Sequence, residues 1–392
     1  MPASIKVADT DYNFDRIATA IPGQWLYMVG EDGVVYSEDQ NRFAGLCAAG
    51  VSAYRAFDLG VHVDDLERIG RANNFVSSAA EGLEAIYALS QGIFPITDNA
   101  PDWPTLNPSR LPIPSTANIE IHGIPILLEY PEGPLGDLCR DYFRSCVPST
   151  QTARCHLSAQ LTEQGWGIYV NGSKFYSLQR EEQLGLGLMH ATRSLLYAEG
   201  EYDVAFHAAM VADGDCGLML CAPRECGKST LSAYLVSGGL NLLTDEPALL
   251  DVDTRSVAPL RLPLSLKQGS WSVLPQRWVQ LPHPPIHLRS DGIRICLVHP
   301  SPGGYATRPR RLTHIVFSQY SASLEAKAEW LSPVRTLSLL NEGGMLLGKH
   351  LAREQFEAFL KIVCEISAYK IRYTSLEEAH QMLRQIGCLV AD

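Results

Sequence analysis

The stretch CAPRECGKST, residues 221–230, decides the fold. It closes on Gly227, Lys228, Ser229 and Thr230, the end of the phosphate-loop pattern G-x-x-x-x-G-K-[ST], with Ala222 at the first glycine position. Upstream, GLMLCA is an apolar run of strand length. Downstream, STLSAYLVSGG reads as a helix with glycine at its C-terminal end. In such a strand, loop and helix, backbone N–H groups and the helix dipole face an anion. Lys228 then reaches the β- and γ-phosphates, the Ser229 hydroxyl ligates magnesium, and Gly227 lets the backbone approach closely. Ala222, Arg224, Glu225, Cys226, Gly227, Lys228, Ser229 and Thr230 are the expected nucleotide contacts.

Two further features point to the same place. LLTDE puts Asp245 and Glu246 at the end of an apolar strand, seventeen residues after Lys228. Carboxylates there hold magnesium together with Ser229, or take a proton from an attacking hydroxyl. His207, in FHAAMVA, stands one strand before the loop and approaches the phosphates if the two strands are neighbours. A solvated acidic pair and a core histidine are the plain alternatives.

Outward from the loop, the chain divides into three. In residues 1–95, WLYMVG and VVYSE flank Glu31-Asp32-Gly33 and read as a hairpin. FAGLCAAGVSAYRAF and VHVDDLERIGRA have helical periodicity, so this region reads as a small winged-helix-like module. Residues 96–116 form a proline-rich linker. Residues 117–392 open with strand-like IEIHGIPILLEY, continue through the hairpin GWGIYVNGSKFYSL with Asn171-Gly172 at its turn, and reach a helix over QREEQLGLGLMHATRSLLYAE. LNLLTDEPALLDVD reads as a strand pair.

Composition bounds the function. The 392 residues carry a formal charge of −11, which disfavours non-specific binding to nucleic acid or anionic membranes. No run of eighteen apolar residues and no apolar signal region is found, and the ten cysteines are scattered without a C-x-x-C pair. A reducing, cytoplasmic setting is expected.

The segments HAAMV, GLMLCAP, GKSTL and GGLNLLTDE resemble the HPr kinase/phosphorylase family and its relatives, among them kinases encoded beside lasso peptide precursors. The resemblance covers about 117–385. It implies an α/β (α+β) P-loop core similar to ATP-dependent phosphoenolpyruvate carboxykinase, with ATP and Mg2+ as cofactors. It also implies Asp245 as the base on a serine hydroxyl, with Lys228 and His207 as further catalytic groups. LRLPLSLKQGSW is similar to a proline-turn and LK segment of the relatives, a resemblance that makes Lys267 a substrate-binding candidate. The N-terminal segment GEDGVVYSEDQNRFAGLCAAGVSAYRAFDLGVHVDDLERI looks like the PqqD family, the RiPP precursor recognition element, which binds a leader peptide by strand addition. The chain departs from the kinase pattern at Glu225, where the relatives carry a small residue, and at Glu246, where they carry a second aspartate.

The resemblance implies a kinase that phosphorylates a serine or threonine of a peptide or protein, in peptide natural product maturation if the N-terminal match holds. Its partner is that substrate, without nucleic acid or membrane, and the kinases it resembles commonly form homo-oligomers. The alternative is a degenerate pseudokinase that serves as a peptide-binding scaffold.

Overall fold

The computed structural model describes residues 14–58, 115–162, 165–178, 183–222, 226–274, 286–289, 291–348 and 351–389. Arg224 and Glu225, the segment VHVDDLERIGRA and the linker apart from Ser115 and Thr116 lie outside them. All ten cysteines carry free thiols.

Three bodies of structure follow one another along the chain. The first is an antiparallel meander of β1 (Asp15–Ala18), β2 (Gln24–Val29), β3 (Asp32–Ser37) and β4 (Arg42–Leu46), followed by α1 (Ala48–Asp58). The expected hairpin is the inner pair of this sheet. Its turn falls at Gly30-Glu31, because Val29 pairs with Asp32 and Gly30 supplies the positive φ of 66°. The helix expected from Phe43 begins only at Ala48. Residues 42–46 are instead held as a strand by β3, and Phe43 points into the core.

Both faces of this meander are covered. Leu26, Val35 and Leu46 face α1, while Tyr27, Val34, Tyr36 and Phe43 turn the other way. That period of two, with both sides apolar, explains why LYMV and VVY are continuous hydrophobic runs.

The second body is a sheet ordered β10-β9-β8-β6-β5-β7. Its strands are β5 (Ser115–Ile121), β6 (Ile124–Tyr130), β7 (Val147–Pro148), β8 (Cys155–Thr162), β9 (Gly165–Val170) and β10 (Ser173–Ser177). Helices α2 (Pro134–Phe143) and α3 (Leu184–Glu199) pack on it. The β9–β10 turn is Asn171-Gly172, both residues at positive φ, as the sequence predicts.

The third body carries the loop. Its strands are β11 (Val204–Phe206), β12 (Ala208–Asp213), β13 (Cys216–Cys221), β14 (Asn241–Thr244), β15 (Ala248–Asp251), β16 (Ser256–Val257), β20 (Arg310–Tyr320), β21 (Lys327–Trp330), β22 (Leu346–Leu347) and β23 (Ser367–Tyr373). A small side sheet holds β17 (Leu264–Lys267), β18 (Ile286–Leu288) and β19 (Arg294–Val298). Strands β13, β20 and β23 run parallel, so their carboxyl ends gather where the loop begins. Helices α4 (Lys228–Ser237) and α7 (Leu376–Gln385) cover one face. Helices α5 (Pro333–Glu342) and α6 (Arg353–Glu365) cover the other.

Alternation assigns the sheet residues. Leu218 and Leu220 pack under α4, while Met219 and Cys221 pack on the α5–α6 side. The N-terminal meander shares this second core, where Tyr36 stacks on Phe356 of α6 with ring centroids 4.0 Å apart. The protein is a mixed α/β structure of several sheets.

Two local differences from the sequence reading shape the site. His207 is not inside a strand but at the joint between β11 and β12, where the chain changes partners from β15 to β13 and β14. Strands β14 and β15 do not pair with each other: β14 pairs with β12 and β15 with β11. The crossover between β14 and β15 contains Asp245 and Glu246, so it runs alongside the joint that contains His207.

Candidate active site

Gly227 caps α4 in the left-handed region, at φ 87°. A Cβ there would stand 3.1 Å from the Tyr373 hydroxyl as well as straining the backbone, so glycine is the residue that fits. Among the described residues no side chain caps this end of α4. Its leading amides therefore remain available to an anion.

Lys228, at the first helical position, has a side chain only 10 % exposed. Its Nζ donates to the His207 carbonyl at 3.4 Å and lies 3.7 Å from Glu246 Oε2. The other Glu246 oxygen lies 2.6 Å from His207 Nδ1 and 3.2 Å from Nη1 of Arg193 on α3. One carboxylate thus gathers three nitrogen groups from three parts of the chain. Burial pushes the Glu246 carboxyl upward, but the His207 hydrogen bond and the Arg193 and Lys228 charges outweigh it and hold the group down at about 2.

Asp245 takes a different role. It is 4 % exposed, and its Oδ2 accepts from Ser229 Oγ at 3.2 Å and from the Ser265 backbone N–H at 3.0 Å. Its Oδ1 is buried without a partner among the described residues. An orphaned carboxylate oxygen beside a hydroxyl suits a hard cation such as magnesium, which takes one or two carboxylates and completes its shell with water and phosphate oxygens. Among the described residues no cluster of three His, Cys, Asp or Glu side chains gathers as a fuller metal cage.

The remaining expected residues are placed as follows. Ala222 is buried at the exit of β13, Cys226 precedes the glycine cap, and Thr230 shares a 2.6 Å hydrogen bond with Ser270. Lys267 ends β17, the strand whose Ser265 N–H holds Asp245. Arg193 is the residue that sequence reasoning missed. The signal was a lone arginine in MHATRSLLYAE, flanked by Met189, Thr192, Leu195 and Leu196, all buried. Its Nε is buried without a partner among the described residues.

No protein-family model and no curated protein sequence matches the chain. Among solved structures, it is similar to the Hpr(Ser) kinase/phosphatase from Coxiella burnetii at 13 % identity, over 46 % of this chain and 98 % of that one, with a TM-score of 0.22. Among the described residues no helix is long and apolar enough to cross a membrane.

Proposed function

We propose that the protein is a phosphotransferase that moves the γ-phosphoryl group of magnesium ATP to an alcohol hydroxyl. The observation that carries this reading is the meeting of Lys228, His207, Glu246 and the Ser229–Asp245 pair at the uncapped start of α4. Phosphoryl transfer asks mainly for positioning and charge, and these residues provide both.

In this reading Lys228 and the leading α4 amides hold the terminal phosphates. Ser229 and Asp245 would hold magnesium, which would supply charge neutralisation to the transferring phosphate. The acceptor oxygen bonds to the γ-phosphorus while the bond from that phosphorus to the β–γ bridging oxygen breaks, and ADP keeps the electron pair. The hydroxyl proton passes to His207, whose Nδ1 is tied to Glu246 and whose Nε2 is the remaining acceptor. The resemblance gives that proton to Asp245. The Ser229 and Ser265 hydrogen bonds on Asp245 favour the cation-binding role instead.

Calorimetry of magnesium ATP on the wild type and on Lys228→Ala tests the reading. Binding by the wild type that is lost in the variant supports it. An absence of binding to the wild type sinks it and leaves the scaffold alternative.

A further inference from the structure

A cavity of about 360 Å³ opens on the sheet face opposite α4, at the carboxyl ends of β13, β20 and β23. Alternation shows which side chains reach it. Cys221 and Phe317 belong to the core on the α5–α6 side. Gln319 and Lys370 share that side, being two residues beyond Phe317 and Ala368 on their strands. The last turn of α5 adds Leu339, Leu340 and Glu342. The rest of the wall includes Phe206-His207-Ala208, the joint between β11 and β12, and Ala222 and Cys226 on either side of the loop.

We propose that this cavity is the acceptor subsite, and that it selects a hydroxyl carried on an apolar body, aryl or alkyl, over the bare hydroxymethyl of serine. The inference rests on the phosphotransferase reading. Its decisive relationship is that His207 belongs both to the cavity wall and to the Lys228 contact. Lys228 marks the terminal phosphates, so the cavity adjoins the end of the nucleotide where transfer occurs.

Size and lining define the ligand. The volume lies in the range of small-ligand sites, and Phe206, Phe317, Leu339 and Leu340 make the interior apolar. Burying a methylene is worth about 0.8 kcal/mol, so a serine side chain would leave most of this surface unused, whereas an aryl or alkyl body would fill it. Gln319, Glu342 and Lys370 give the cavity polar groups for the part of the ligand that leads out to solvent.

The test uses the full chain, [γ-32P]ATP with magnesium, and the series benzyl alcohol, 2-phenylethanol and 3-phenylpropanol. N-acetyl-tyrosinamide serves as the peptide-borne counterpart and N-acetyl-serinamide as the apolar-free control. The expected result is transfer to members of the phenyl series at a kcat/KM at least tenfold above the serine control. Turnover of N-acetyl-tyrosinamide as well would assign the site to a side chain of a peptide, and turnover of the free alcohols alone to a small molecule. Leu339→Trp should raise the KM for the alcohols at least tenfold while the Kd for magnesium ATP moves less than twofold. Leu339→Ala should shift the preference toward the longer alcohol, which keeps the proposal testable if the larger side chain disturbs folding. Two results would overturn it while leaving the kinase reading intact: inert alcohols beside Lys228-dependent ATP binding, or a Leu339→Trp variant that loses ATP affinity. A wild type that binds no ATP would overturn both.

Discussion

Glu246 Oε2 lies 3.7 Å from Lys228 Nζ, where a phosphate oxygen would otherwise stand. On the proposed phosphotransferase reading, the carboxylate competes with the phosphates for the same ammonium group. In Glu246→Gln that competition disappears, and magnesium ATP should bind about tenfold more tightly, the size of one partly screened charge pair. Turnover should fall, because His207 loses the ionised partner that orients it. Arg193→Met should act in the opposite sense on binding, since Glu246 then has one cation fewer and holds Lys228 harder. Calorimetry on the two variants checks the pair of signs, and equal shifts in one direction would refute the competition.

The buried Asp245 Oδ1 predicts a metal dependence located in one residue. In the wild type, added magnesium should tighten ADP binding. In Asp245→Asn the difference between magnesium-containing and magnesium-free titrations should shrink to near zero, with the circular dichroism spectrum unchanged. A magnesium effect that survives in the variant would move the cation elsewhere.

Phe356 ties the N-terminal meander to the main core through Tyr36, Phe43 and Phe359. Phe356→Ala should cost about 3–5 kcal/mol in urea unfolding, the usual range for removing a fully buried aromatic ring. Because that ring serves both cores, tryptophan fluorescence, which includes Trp25 in β2, and far-UV dichroism should shift their midpoints together. Separate shifts would show that the meander unfolds on its own.

Acid should weaken the fold in two overlapping stages. His299 is 5 % exposed, and burial together with the Arg144 charge holds it at about 3, well below its ordinary 6.5. Between those values the unfolded chain binds the proton that the folded chain refuses, so stability falls as pH drops from 6.5 toward 3. Glu246, held at about 2, contributes stability that is present above its ordinary 4.5 and lost as pH falls from 4.5 toward 2. His299→Gln should flatten the first stage, read as the slope of melting temperature between pH 6.5 and 4.5, and leave the second. An unchanged slope would exclude His299 as its source.

The strand, turn and helix around the loop are legible because their signals are local. Gly227, Lys228 and Ser229 sit in one contiguous segment, and the apolar strand and the helix beside it have clear periods. Asp245 and Glu246 follow a strand end as the sequence suggests, yet their different surroundings are not legible there, because Ser265 and Arg193 arrive from other parts of the chain. His207 looked like a strand residue because FHAAMVA is apolar throughout; only pairing shows that the strand breaks there. Residues 42–46 failed for the opposite reason. Their spacing also satisfies a helix, and neighbouring β3 decides the matter by hydrogen bonding. The cavity left no local sequence signal, since its walls come from six separate elements.

Helix α5 has one further consequence. Gly45 of β4 lies so close to it that a Cβ there would meet Ser338 Oγ at 2.8 Å, and the next two residues, Leu339 and Leu340, line the cavity. The helix is thus a beam shared by the N-terminal sheet on one side and the cavity on the other. Substitutions along the β4–α5 seam should therefore disturb the packing of the N-terminal sheet and the shape of the cavity together.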